Sequence, residues 1–175
     1  MVGALGDSIT EGSPGASGWD HWAARADPRL EFRNHGIYGQ RTDEIATRLD
    51  DCARGADVLI VQGGINDVAQ GRDVEGAAEN LRAMVRRGKE LGLRVALVDV
   101  LPWNNGWPDA EPEIRRLNAL VGEIARDEDV PVLPFHDTLE DPERPGRMRE
   151  GWTGDGDHPS PDGYRRLADV AFRVP

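Results

Sequence analysis

The sequence holds a single cysteine, Cys52, so no intrachain disulfide can form, and the chain suits a reducing compartment. It also lacks any run approaching the roughly 20 apolar residues of a membrane-spanning helix. Basic residues are in deficit: 21 Lys and Arg stand against 32 Asp and Glu, a formal net charge of −11. Such a field repels phosphate and argues against nucleic acid or an anionic membrane surface as a partner. The acidity reads instead as a solvated surface. The opening Met1-Val2-Gly3-Ala4-Leu5-Gly6 has no basic segment and no long apolar run, so no signal peptide is read there and a cytoplasmic location is expected. No internal repeat, long linker or low-complexity tract interrupts the 175 residues, which are expected to form one domain over 1–175. No pattern specifies an oligomeric state.

Short aliphatic runs are present, and they alternate with amphipathic segments. Val2 to Leu5, Leu30 to Asn34, Asp57 to Gln62, Leu93 to Val100 and Val130 to Leu133 read as strands. Their β-branched and aliphatic content suits strands covered on both faces. Between them lie helical patterns. Thr42 reads as a cap followed by Asp43 and Glu44, with Ile45 and Leu49 on one face and Gly55 as terminator. Asp73 caps a longer helix carrying Val74, Ala77, Ala78, Leu81, Met84, Val85 and Leu91, stopped by Gly92. Ile114, Leu117, Val121 and Ile124 mark another, and Ser160-Pro161 opens the last, whose stripe is Tyr164, Leu167, Ala168 and Ala171. Residues 134–154 read as an irregular, Pro/Gly-rich and charged excursion. Repeated strand-then-helix order predicts an α/β fold with a parallel sheet and helices on both faces.

In such a sheet, ligands bind beyond the carboxyl ends of the strands. Four segments fall there: Gly6 to Thr10, Gly36 to Gly39, Gly63 to Asp67, and Pro102 to Trp107. Ser8 follows the first strand at a turn that Gly6 permits. A serine hydroxyl needs a base to become a nucleophile. Of His21, His35, His136 and His158, the last is best placed, just before the final helix, with Asp155 three residues earlier to fix its tautomer. Oxyanion donors are available from the Ser8 and Gly39 N–H groups and the Asn66 amide. Each residue also has a structural reading. Ser8 to Glu11 is a capping box, Asn66 suits an Asx turn, and Asp67 suits a helix cap. Asp7 is read as bracing the turn under Ser8, and Cys52 as structural. His136-Asp137 is the alternative base pair. Trp103 and Trp107 are expected to wall a pocket, and Trp19 and Trp22 to pack. The glycines of 63–64 lack the G-x-x-x-x-G-K pattern of a phosphate loop.

Taken together, Gly6-Asp7-Ser8-Ile9, the Gly39 segment, Gly64-Ile65-Asn66-Asp67 and Asp155-Gly156-Asp157-His158-Pro159 resemble four blocks of the GDSL-type, or SGNH, hydrolases, in the family's order. Ile9 stands where the name motif has leucine. The resemblance implies a three-layer α/β/α sandwich with a five-stranded, flavodoxin-like parallel sheet. It also implies a serine esterase acting on small-molecule esters through a covalent acyl-enzyme; because 175 residues leave little room for a large lid, short acyl or acetyl groups are expected. Ser8, His158 and Asp155 would be the catalytic residues, and Ser8, Gly39 and Asn66 the oxyanion donors. No cofactor or metal is expected, and no competing metal cluster is read. An acyltransferase using the same site, or a catalytically silent binding protein of the same fold, stand as the alternatives.

Overall fold

A computed structural model of the chain describes residues 1–12 and 17–175. Five parallel strands form one sheet: β1 (Val2–Gly6), β2 (Phe32–Gly36), β3 (Val58–Val61), β4 (Arg94–Val98) and β5 (Val132–Leu133), in the spatial order β2-β1-β3-β4-β5. This is the flavodoxin-like order, with its switch point beside β1. Register is continuous through the centre: Ala4 faces Asn34 on one side and Ile60 on the other, and Ile60 faces Ala96.

Helices cover both faces, and the strands' two-residue period decides which residue meets which layer. Leu5, Leu59, Val61, Val95 and Leu97 enter one core with Ile45 and Leu49, Leu81 and Val85, and Ile114, Leu117 and Val121. These helical residues lie on α3 (Thr42–Ala46), α4 (Leu49–Ala53), α6 (Val74–Glu90) and α7 (Glu111–Glu128). Val2, Ala4, Val58, Ile60, Ala96 and Val98 enter the other core. There they meet Trp19 on α2 (Trp19–Ala26), Phe135 on α8 (Phe135–Leu139), Tyr164 on α9 (Pro161–Arg166) and the π turn Leu167–Ala171. Trp19 is fully buried, in edge contact with Phe32 and Phe135, so it packs as expected. Cys52 is also fully buried, and burial pushes its thiol up to about 12, which leaves it inert. Among the described residues, no helix is long and apolar enough to cross a membrane.

Several boundaries differ from the sequence reading. β2 begins two residues later than Leu30, at Phe32. The helix expected from Thr42 is broken in two, because the Thr47 hydroxyl donates to the Glu44 carbonyl at 2.6 Å and the Arg48 side chain is drawn towards the sheet edge. Thr42 is the first helical residue rather than the cap. Its N–H and hydroxyl both donate to the Asp67 carboxylate, at 3.0 and 2.8 Å, so a carboxylate from elsewhere in the chain does the capping. Residues 134–154 are more regular than expected: α8 leads into an antiparallel pair, β6 (Glu140–Asp141) and β7 (Arg144–Met148).

Candidate active site

Ser8 opens the four-residue α1 (Ser8–Glu11) directly after β1. The cap is Asp7, whose Oδ1 accepts the Ile9 N–H at 2.9 Å, so Ser8 is free of capping duty. Beneath this turn the Gln62 Oε1 accepts both the Asp7 N–H, at 3.1 Å, and the Thr10 hydroxyl, at 2.9 Å. A Cβ on Gly6 would stand 2.4 Å from each of those two side-chain oxygens, which is why the turn requires glycine.

Across the cleft, Asp155 organises the loop before α9. Its Oδ1 accepts the N–H groups of Asp157 and His158, at 2.8 and 2.7 Å. Its Oδ2 lies 2.8 Å from His158 Nδ1. Burial opposes the Asp155 charge, but the hydrogen bonds from His158 and Asp157 outweigh it and hold the carboxyl below the usual carboxylate range. Nδ1 therefore carries the proton shared with Asp155, and Nε2 is left as the acceptor. His158 Nε2 lies 3.1 Å from Ser8 Oγ, and both residues are buried. A hydroxyl, an imidazole and a carboxylate in this line can move a proton off the hydroxyl as it attacks a carbonyl.

Asn66 enters from the opposite side. Gly64 adopts φ +116 where β3 turns into α5 (Ile65–Ala69), and a Cβ there would strike Leu117 at 2.6 Å. That tight turn starts α5 shortly after the strand end, and the Asn66 side chain reaches the cleft. The Asn66 Nδ2 donates to the Gln40 carbonyl at 2.9 Å rather than closing an Asx turn. Gly39 sits one residue earlier in that loop, at φ +77. Among the described residues, the N–H groups of Ser8 and Gly39 have no hydrogen-bond partner. Gly39 itself does not line the cleft; Tyr38 does.

The cleft has a volume of about 130 Å³, walled by Ile9, Tyr38, Ile65, Trp103 and Asp157 around Ser8, Asn66 and His158. Trp103 is thus brought to the site, and its Nε1 donates to Asp157 Oδ1 at 2.6 Å. Trp107 is not brought there. It is exposed, and the Arg147 guanidinium lies 5.4 Å over its ring. His136 is also elsewhere, on α8, with Asp99 Oδ1 accepting its N–H at 2.8 Å.

Two residues at the site carry no signal in the sequence. The Tyr38 ring lies 5.7 Å from the His158 ring and is exposed. Arg48 donates to the His35 carbonyl, the Gly6 carbonyl and Gln40 Oε1, at 2.6, 3.0 and 2.9 Å, and so pins the loop that carries Gly39 to the ends of β1 and β2. Nothing local to Arg48 signals this, because its partners lie 8 to 42 residues away.

The model of the GDSL-like Lipase/Acylhydrolase family matches residues 4–166. The chain belongs to that family. Solved structures similar to this GDSL-like chain include a member of the lipolytic protein G-D-S-L family from Veillonella parvula DSM 2008, at 21% identity and TM-score 0.84, covering 96% of this chain and 93% of that one. The lipase/acylhydrolase from Enterococcus faecalis is 24% identical with TM-score 0.80, covering 96% and 91%. A variant of an acetyl-xylooligosaccharide esterase from Geobacillus Stearmophilus is 22% identical with TM-score 0.74, covering 96% and 90%. No curated protein matches the sequence. The family supports an ester hydrolase in general, and likenesses at these identities show the fold.

Proposed function

We propose that this GDSL-like hydrolase is a serine esterase that releases short acyl groups, acetyl among them, from small-molecule esters. The observation that carries the reading is the line Ser8 Oγ, His158 Nε2, His158 Nδ1, Asp155 Oδ2, with links of 3.1 and 2.8 Å across the cleft. His158 takes the Ser8 proton as Oγ bonds to the ester carbonyl carbon. The carbonyl electron pair moves to oxygen, where the Ser8 and Gly39 N–H groups and the Asn66 amide hold it. The intermediate collapses, the alcohol leaves with the proton from His158, and Ser8 carries the acyl group. Water, giving its proton to the same histidine, then repeats the sequence and releases the acid.

The short-acyl part rests on space. The cleft of about 130 Å³ is small beside the roughly 300–1,000 Å³ of pockets that take drug-sized ligands. The acetyl-xylooligosaccharide esterase among the structural neighbours makes acetylated sugars a class to assay after simple esters. The test is an acyl series of p-nitrophenyl esters with wild-type protein and Ser8→Ala, together with a fluorophosphonate probe. Turnover should be highest for acetate and fall steeply beyond butyrate, and the probe should label wild type alone. Preference for long chains would overturn the acyl assignment, and labelling of Ser8→Ala would overturn the nucleophile.

A further inference from the structure

Away from the cleft, three side chains from separate segments converge: Glu111 at the start of α7, His136 on α8 and Glu140 on β6. One carboxylate oxygen from each glutamate and one ring nitrogen of His136 lie within 4.8 Å of one another. The His136 side chain is only 6% exposed, and its Nδ1 stands 3.6 Å from Asp137. Among the described residues its buried Nε2 has no hydrogen-bond partner, an unusual state for a ring nitrogen in a protein interior. Among the described residues, both Glu111 carboxylate oxygens are likewise buried without a hydrogen-bond partner, although the Arg115 guanidinium pairs with Oε1 by charge. Glu140 Oε1 accepts from the Gly146 N–H at 2.7 Å and from Arg115 at 3.1 Å. Gly146 adopts φ +85, and a Cβ there would fall 2.6 Å from the Glu111 carboxyl carbon, so glycine keeps the space over that carboxylate open.

We propose that Glu111, His136 and Glu140 form a binding site for a divalent first-row transition metal ion of the zinc type. The donor set selects the ion. Two carboxylates and one neutral imidazole suit zinc and its neighbours, whereas calcium and magnesium prefer oxygen ligands alone. Metal–ligand distances near 2.0–2.2 Å set tetrahedral donors about 3.4 Å apart, so donor atoms within 4.8 Å of one another need to close up by at most about 1.5 Å, within the reach of side-chain rotation. Arg115 is half-exposed and sits one turn along α7 from Glu111. It acts as the counter-ion of the metal-free site and swings outward when the cation enters. The bound ion would tie the β6–β7 hairpin to α7. It would also couple to the cleft, because Met148 on that hairpin is joined to Asn104 by two hydrogen bonds, at 2.6 and 3.2 Å. The N–H groups of Asn104 and Asn105 in turn donate to the Gly156 carbonyl, inside the loop that presents His158.

The sequence does not announce this site, since its members are 25 and 4 residues apart and only the fold brings Glu111 to the other two. Metal uptake here does not depend on esterase activity. The test is titration of chelator-stripped full-length protein with zinc in competition with a chromogenic chelator, and with cobalt(II) followed by visible absorption. Wild type should take up one ion that His136→Asn and Glu111→Gln each bind at least tenfold more weakly, and zinc should raise the melting temperature of wild type but not of these variants. Arg115→Ala should bind as tightly as wild type or more tightly. Far-UV circular dichroism checks that His136→Asn is folded; if it is not, Glu111→Gln decides. Absence of uptake by wild type, or equal uptake by wild type and Glu111→Gln, would overturn the proposal and leave Arg115 as the counter-ion of the cluster.

Discussion

Asn66 is tied to the loop it faces: its Nδ2 donates a 2.9 Å hydrogen bond to the carbonyl of Gln40, one residue beyond Gly39. One amide hydrogen is used there, which leaves the other for the proposed oxyanion contact. The bond also fixes the distance between two of the three proposed donors. Losing one such donor costs about 2.7–4 kcal/mol of barrier. Asn66→Ala should therefore lower kcat by roughly a hundredfold or more with a smaller change in KM. Steady-state kinetics on p-nitrophenyl acetate measures this, and near-normal kcat would remove Asn66 from the oxyanion site.

Trp103 is connected to the site through Asp157. That carboxylate oxygen receives both the Trp103 Nε1–H, at 2.6 Å, and an Asn105 amide hydrogen, at 2.7 Å. Asp157 lines the cleft but does not touch the His158 ring nitrogens, which belong to Asp155 and Ser8. Trp103→Phe keeps an aromatic wall and removes one hydrogen bond worth about 1–3 kcal/mol when the acceptor is charged. KM for small esters should rise about tenfold while kcat changes by less than about threefold. A large fall in kcat at constant KM would mean that Trp103 positions His158 instead.

Much of this architecture is legible locally. Val2 to Leu5 and Leu93 to Val100 announce buried strands by composition, and the order of strands and helices implies the parallel sheet. Asp155 and His158 are legible because their contact closes within one short turn. Ser8 and Asn66 are legible because glycines at 6 and 64 mark the tight turns at the strand ends. What escapes is set by long-range geometry. Thr42 looks like a cap until Asp67 arrives from 25 residues away to take both its donors. Trp103 and Trp107 are equivalent by position, yet one meets Asp157 and the other stacks under Arg147 at the surface. Residues 140–148 carry no alternating pattern, and their pairing depends on glycine and ion-pair contacts instead.

Gly36 stands where β2 backs the helix that carries Ser8. A Cβ at this position would lie 2.0 Å from the Glu11 amide nitrogen and 2.7 Å from the Thr10 carbonyl carbon. Both are backbone atoms, so no rotamer change relieves the clash and α1 or β2 must move. Gly36→Ala should destabilise the fold by about 2–4 kcal/mol, beyond the usual overpacking range because backbone is struck. The same shift displaces Ser8 from His158 and lowers kcat. Gly71→Ala is the control: φ there is +62 but open space surrounds it, so only the left-handed strain of about 1–2 kcal/mol applies. Denaturant melts of the two variants compare these costs, and equal destabilisation would show that the Gly36 contact relaxes freely.

Asp7 lies directly under the proposed nucleophile and is fully buried. Burial pushes its carboxyl up to about 6, against the opposing pull of the Ile9 N–H, Gln62 and the charge of His158. In the unfolded chain the same group loses its proton near 3.8. Between those two values the folded chain holds a proton that the unfolded chain has released. The stability linked to Asp7 is therefore full below pH 3.8, declines as the pH rises to about 6 and is level above that. Asp7→Asn keeps the Oδ1 acceptor for Ile9 and removes the ionisable group. At pH 8 the variant should escape a cost of up to about 3 kcal/mol, since each pH unit between the unfolded and folded titrations is worth about 1.4 kcal/mol. Its melting temperature should exceed that of wild type by several degrees more at pH 8 than at pH 4.5, because about 1 kcal/mol corresponds to roughly 2–4 °C in a chain of this size. A gap that is equal at the two pH values would place the folded-state titration of Asp7 at its unfolded value and remove burial as the dominant influence on it.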